Sequence, residues 1–208
     1  VWRPKKLGIP GESRGDVLYA INYLANPDGH DVGDRVAVIG AGNTAVDVAR
    51  TCLRKGARHV TLYARGTRIR ASEDEVAYAK LDGAEFQFCR QIMAINDEGP
   101  LFRLALLDDE GNLQGYVSQP EQEQADTTII AISQSPKDKL IHTTQGLQGS
   151  EQGFLITDEN GLTTCRRVYA SGDVVFGART VVEAVAFSKR VANAMDQEMQ
   201  RPCADDVK

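Results

Sequence analysis

No apolar run in this 208-residue sequence reaches the roughly 18 residues that a membrane-spanning helix needs. Val1–Lys6 leads into no apolar stretch, so the start of the sequence does not read as a signal peptide. Cysteine is scarce. Cys52, Cys89, Cys165 and Cys203 lie far apart and form no C-x-x-C pair. That spacing argues against a dithiol redox centre or a zinc ribbon within the chain, and reduced thiols in a cytoplasmic protein are the expectation. A basic excess is also missing: 24 Lys and Arg stand against 29 Asp and Glu, a net charge of −5. Nucleic-acid surfaces carry the opposite balance, so any anion site here must be local. His30, His59 and His142 have no metal-ligand spacing, and no Ser-His-Asp grouping is evident. What remains is ordinary for a globular protein, with 42% hydrophobic and 25% charged residues.

Hydrophobic periodicity organises the chain. Asp16–Leu24 has the apolar spacing of a short amphipathic helix, and Asn26-Pro27-Asp28-Gly29 follows as a loop. Arg35–Ile39 has the composition of a buried strand. A helix is predicted from about Thr44 to Lys55, with Gly56 placed for a left-handed cap, and His59–Tyr63 is a second strand. Strand, helix and strand in this span make a βαβ unit with a parallel pair. Ser72 and Glu75 have the spacing of a capping box for a helix to about Asp82, closed by Gly83. Ala84–Phe88 is a third strand. Leu101–Leu107 and Leu113–Val117 flank a hairpin turn at residues 108–112. Gln119–Asp126 is a loop and Thr127–Ile132 another buried strand. Beyond it, short strands are predicted at Phe154–Thr157 and Arg167–Ala170. A long helix spans Thr180–Gln200, with Val181, Val182, Ala184, Val185, Val191, Ala192 and Met195 as its apolar stripe.

Gly40-Ala41-Gly42-Asn43-Thr44-Ala45 is a G-x-G-x-x-A sequence set between the first strand and its helix. Gly40 permits a tight turn, Gly42 lets a pyrophosphate approach the backbone, and Ala45 lets the helix pack close to the strand. The helix N-terminus, at Asn43 and Thr44, offers free N–H groups and partial positive charge to phosphate. A glycine turn in an unrelated α/β protein is the competing reading. At the end of the second strand an NAD site usually carries Asp or Glu for the ribose hydroxyl. Here Arg65, Arg68 and Arg70 stand instead, as suits a 2′-phosphate. A solvated basic loop is the alternative.

Val168–Val175 reads as a strand running into Gly172-Asp173, just before the long helix. Together with Leu7-Gly8-Ile9-Pro10-Gly11-Glu12, Val36–Arg65 and the weaker Ala131–Pro136, this pattern resembles the glutamate synthase small subunit and related NADPH-dependent FAD oxidoreductases. The resemblance spans nearly the whole chain. In such families an NAD(P) domain is inserted into a split FAD domain. The resemblance therefore implies that the first FAD-binding segment lies outside these residues. It implies that Asp173 accepts a hydrogen bond from the FAD ribityl chain, and that the helix start at Thr180 and Val181 faces the flavin. It also implies an iron–sulfur domain or partner subunit as the electron acceptor. Two departures stand out: serine at 133, where the family usually has glycine near the nicotinamide nucleotide, and Ile69-Arg70-Ala71 in place of a proline pattern.

The expected fold class is α/β: a Rossmann-like three-layer dinucleotide-binding domain with an inserted β hairpin, plus the C-terminal part of a second, FAD-binding domain. Residues 1–33 are expected to be a linker or FAD-domain remnant, residues 34–136 the NADP(H) domain, and residues 137–208 the FAD segment. The expected activity of the intact protein is hydride transfer from NADPH to FAD; the isolated chain is expected to be inactive, with a homodimer as one way of covering the face that the missing segment would occupy. A non-catalytic NADP(H) sensor is the rival, although a sensor has no need of the Gly172-Asp173 segment. A thioredoxin-reductase-like enzyme would want a C-x-x-C before Arg35, and Asp16–Asp34 contains no cysteine.

Overall fold

The computed structural model describes residues 2–108, 110 and 112–200. Cys203, Asp109 and Gly111 of the expected hairpin turn, and the first residue fall outside them. The chain divides into two compact units, Pro4–Ser133, and Val1–Arg3 with Gln134–Lys208.

Counting from β1 (Trp2–Pro4), the larger unit begins with β2 (Val17–Tyr19) and α1 (Ala20–Ala25). It continues through β3 (Arg35–Ile39), α2 (Asn43–Arg54), β4 (His59–Tyr63), α3 (Glu73–Asp82) and β5 (Glu85–Gln87). Four antiparallel strands follow: β6 (Arg90–Asn96), β7 (Gly99–Leu107), β8 (Leu113–Tyr116) and β9 (Glu121–Gln122). The chain then returns as β10 (Thr127–Ile130), which enters between β2 and β3. The result is a parallel sheet of order β2-β10-β3-β4-β5.

Successive side chains of a strand point to opposite faces, and this alternation sorts the core. Val36, Val38, Val60, Leu62 and Ile129 pack with Tyr23, Ala45, Val48, Ala49, Cys52 and Ala79 of the three helices. Ala37, Ile39, Tyr63 and Ile130 belong to the opposite face, with Phe102, Ile92 and Ile95 of the antiparallel strands. The Tyr63 and Phe102 rings stack with centroids 4.4 Å apart. The three layers are therefore helices, parallel sheet and antiparallel sheet.

Helix ends follow their sequence signals. Gly56 has φ +107 just beyond α2, and Gly83 caps α3 at φ +103. The Ser72 hydroxyl accepts from the Glu75 N–H at 3.4 Å. Glu75 does not complete the box, because its carboxylate pairs with Arg50 at 2.9 Å. Arg50 also reaches Asp82 at 2.8 Å, so one guanidinium ties α2 to both ends of α3.

The larger unit departs from expectation in two places. The helix expected from Asp16 starts later, because Val17–Tyr19 is drawn into the sheet beside β10. Residues 4–33 cluster with the larger unit, to which they supply the edge strand β2 and the helix α1. The inserted hairpin is larger than expected, since β6 pairs with β7 along most of its length and β9 adds to the same sheet.

The smaller unit pairs β1 with β11 (Gln134–Pro136) and contains α4 (Lys139–Thr143), α5 (Asp173–Phe176) and α6 (Val181–Met199). The strands expected at 154–157 and 167–170 are present only as isolated bridges, Gly149↔Leu155, Thr157↔Thr163 and Leu162↔Tyr169. Arg167 has φ +62, which breaks the extended backbone where the second of them would begin. Gly161 lies so close to α6 that a Cβ there would stand 2.5 Å from a Val191 methyl. Val191 is the buried residue of α6, whereas Val181, Val182, Val185 and Met195 of the expected stripe are exposed.

The Leu7–Glu12 segment has a clear physical basis. Glu12 is buried, and its carboxylate accepts from the N–H of Leu7 and of Gly8, both at 2.7 Å, and from the Tyr19 hydroxyl at 3.0 Å. Gly11 has φ +84 and presses against the Ile95 carbonyl, where a Cβ would stand 1.9 Å away. Burial alone would raise the Glu12 pKa, but the two backbone donors and the tyrosine outweigh it and hold it below its ordinary 4.5. A depressed carboxylate pKa contributes stability above the unfolded-state value, and that contribution is lost as pH falls through the folded-state value. Glu12→Gln is expected to cost about 1 kcal/mol at neutral pH. The deficit should shrink below about pH 4.5. Denaturant melts of both proteins across that range check it.

Candidate nucleotide-binding site

Register brings the C-terminal ends of three strands to one level: Ile39 pairs with both Tyr63 and Ile130. β3 and β10 run parallel, but the order of strand addition reverses between them, β4 and β5 lying on one side of β3 and β10 on the other, and in open parallel sheets such a switch point is where ligands bind. Gly40 follows at φ +142, and a Cβ on it would stand 2.4 Å from the Ala131 carbonyl oxygen. Its N–H donates to the Tyr63 carbonyl at 3.0 Å. Gly40 is thus demanded by the protein's own packing. Gly42 differs: its φ is −97 and ψ 177, open to any residue, and a Cβ there would meet no protein atom within 4 Å. Neither strain nor packing asks for glycine at 42. Ala45 is fully buried against the sheet, as close helix–strand packing requires.

The arginine loop is fastened to this turn. The Ala41 carbonyl accepts from the N–H of Arg70 at 2.7 Å and of Ala71 at 3.2 Å. The Asn43 side-chain oxygen accepts from the Ser72 N–H at 3.0 Å. At its other end the loop is held where Ala64 donates to Gln87, Arg90 to Ala64, and Cys89 to Gly66. Arg65, Arg68 and Arg70 are exposed, and none of them pairs with a carboxylate among the described residues. Nearby Arg90 differs, being largely buried and paired with Glu121. Thr44 is half-buried in the first turn of α2.

Ser133 lies just past β10, at φ +99, and its carbonyl accepts from the Lys5 N–H at 3.3 Å. Positive φ is cheap only for glycine, which accounts physically for a glycine preference at this position. The structure thus gathers Gly40, Gly42, Asn43, Thr44, Arg65, Arg68 and Arg70 at one edge, with Ser133 three residues past the end of β10. The tie between Asn43 and Ser72 is the feature that sequence reasoning missed, because a 29-residue separation carries no periodic signal.

The remaining expected residues belong to the smaller unit. Gly172 has φ +72 and Asp173 opens α5. The hydroxyls of Ser171 and Ser188 meet at 2.8 Å, fastening this turn to α6. Thr180 caps α6 in a complete capping box: its hydroxyl accepts from the Glu183 N–H at 3.3 Å, while its own N–H and hydroxyl donate to the Glu183 carboxylate at 3.0 and 2.7 Å. These donors hold the Glu183 carboxyl below its usual range. Val181 is 79% exposed at the helix start.

A five-stranded parallel sheet with a glycine turn at its switch point is the architecture of a dinucleotide-binding protein. The family model described as pyridine nucleotide-disulphide oxidoreductase matches residues 2–194, and the chain belongs to that family. It is 32% identical over 206 residues to the glutamate synthase (NADPH) small chain of Halomonas elongata, covering 86% of this chain and 44% of that protein. It is 34% identical over 216 residues to the NADP(+)-dependent formate dehydrogenase subunit beta of Moorella thermoacetica, covering 94% of this chain and 30% of that one. The chain therefore spans less than half the length of either relative. Among solved structures, thioredoxin reductase of T. acidophilum aligns with a TM-score of 0.72 at 20% identity, over 95% of this chain and 63% of that chain, which shows a shared fold. Among the described residues no helix is long and apolar enough to cross a membrane, and no group of His, Cys, Asp or Glu is placed to hold a metal ion.

The two glycines make separable predictions. Gly40→Ala should destabilise the protein by about 1–3 kcal/mol, because it is both strained and crowded by Ala131. Gly42→Ala should cost less than about 1 kcal/mol. Thermal melts distinguish the two, and equal losses would contradict the assignment.

Proposed function

We propose that this chain is the NADP(H)-binding portion of a flavoprotein oxidoreductase that passes hydride from NADPH to FAD and on to an iron–sulfur partner. The observation that carries the reading is the pairing of Gly42 with the arginine loop. Glycine at 42 satisfies no need of the protein itself, and the backbone beside it carries three exposed arginines. A pyrophosphate at Gly42 and the α2 N-terminus, with a 2′-phosphate at Arg65, Arg68 and Arg70, accounts for both. Two relatives named for NADPH or NADP(+) support the same choice of nucleotide.

The residues fit the nucleotide in defined roles. The first turn of α2, at Asn43 and Thr44, directs N–H groups at the phosphates. Gly40 brings the turn close enough to β10 for the nicotinamide end to pass Ser133. A bound nicotinamide would supply the hydride and a bound flavin would accept it, chemistry that the cofactors carry and for which the protein would supply binding and orientation. Asp173 would hold the ribityl chain of FAD, and the α6 N-terminus at Thr180 and Val181 would offer partial positive charge to the flavin. These 208 residues contain one glycine fingerprint, and its second strand ends in arginines for which FAD has no 2′-phosphate. The FAD adenosine and pyrophosphate are therefore assigned to residues outside this sequence. The exposed valines of α6 are the surface such a segment, or a second copy of the chain, would cover.

Two measurements test this reading. Calorimetric titration should show NADP(+) binding at least about tenfold more tightly than NAD(+), and Arg65→Ala or Arg68→Ala should cost about 1.5–3 kcal/mol toward NADP(+) alone. Equal affinities in the parent protein would overturn the choice of nucleotide. The chain purified alone should show no stoichiometric flavin absorbance, and a full complement of FAD would overturn the division of the flavin site.

A further inference from the structure

Arg65, Arg68 and Arg70 lie on a loop whose position depends on a few hydrogen bonds. At its start the ties are backbone to backbone, through Ala64, Gly66, Gln87, Cys89 and Arg90. At its end three successive N–H groups are captured by the fingerprint turn: those of Arg70 and Ala71 by the Ala41 carbonyl, and that of Ser72 by Asn43. Asn43 is the one side chain among these ties. It is also the first residue of α2, beside the place assigned to the pyrophosphate.

We propose that Asn43 is a positioning residue that holds the arginine loop over the 2′-phosphate subsite, so that nucleotide selectivity depends on a residue that does not itself touch the 2′-phosphate. The inference rests on the NADP(H) reading above. Its mechanism is short. The Asn43 Oδ1 fixes the Ser72 N–H, Ser72 caps α3 through Glu75, and Arg70 lies two residues before that cap. The side chain thereby sets where the loop ends relative to the phosphate turn. Without it, the Ser72 N–H turns to water, and the arginines sample positions away from the phosphate. An ordered charged loop loses less freedom on binding than a loose one, so the cost appears as weaker affinity for the ligand that uses the arginines.

The test compares NADP(+) and NAD(+) as probes on the intact protein, with amide hydrogen exchange as an independent readout. Asn43→Ala is expected to weaken NADP(+) by about tenfold and NAD(+) by less than about threefold. Asn43→Asp keeps an oxygen acceptor for Ser72. It should lower both affinities, since it adds negative charge beside the phosphates, yet preserve their ratio. In an Arg68→Ala background, Asn43→Ala should change the ratio less than it does alone, because the two act on one contact. Exchange across residues 65–72 should rise in Asn43→Ala and stay near the parent level in Asn43→Asp, with β3 and the body of α2 unchanged. Equal losses for both nucleotides would overturn the proposal and make Asn43 a pyrophosphate ligand. Unchanged exchange in 65–72 would overturn it by showing that the tie holds nothing in place. A parent protein with no preference for NADP(+) would instead remove the reading on which it rests, and that is visible before any variant is made.

Discussion

The contact on which this molecule turns is the approach of Gly40 to the Ala131 carbonyl. It closes β3 against β10, the neighbour that arrives last in the chain and across which the direction of winding reverses. Everything at the C-terminal edge follows from that closure. The turn can be tight only because its first residue has no side chain, and a tight turn is what starts α2 directly over the sheet. The Ala41 carbonyl is then free to receive the loop that leaves β4. Strand, turn, helix and basic loop are one hydrogen-bonded construction whose parts come from four stretches of sequence.

Much of this was legible in the residues alone. The short apolar, β-branched runs at 35–39, 59–63 and 127–132 identified buried strands, and the glycine spacing located the turn between the first of them and its helix. The Ser72–Gly83 limits of α3 came from its capping chemistry. The fold class followed, because a strand–helix–strand unit of this length admits one handedness. What was hidden depended on partners distant in sequence. Val17–Tyr19 has the spacing of a helical stretch and becomes a strand because β10 lies beside it. Arg90–Asn96 begins with two polar residues and pairs only because β7 folds back on it. The strand expected at 167–170 fails because Arg167 adopts a left-handed conformation that composition does not announce.

The candidate site divides in the same way. The residue types that suit phosphates could be named one by one, since glycine and arginine carry their reasons with them. Their mutual arrangement could not. The difference between Gly40 and Gly42 is an example: both are glycines of one motif, but the first is required by the sheet, whereas a Cβ at the second would meet no protein atom within 4 Å. The same holds for Glu12, whose motif had a familiar pattern but whose role as the acceptor for two backbone N–H groups and a tyrosine emerges only from the fold.

The exposed, uncommitted side chains of the arginine loop have a consequence for design. The loop is tied through its backbone and the Asn43 side chain, and the exposed side chains of Arg65, Arg68 and Arg70 make no ion pair with a carboxylate among the described residues. Substitutions at 65, 68 and 70 are therefore nearly free of structural penalty. On the proposed reading, coenzyme choice would rest on a few surface positions, and a designer seeking to exchange one nicotinamide coenzyme for the other would begin there and leave the core as it is.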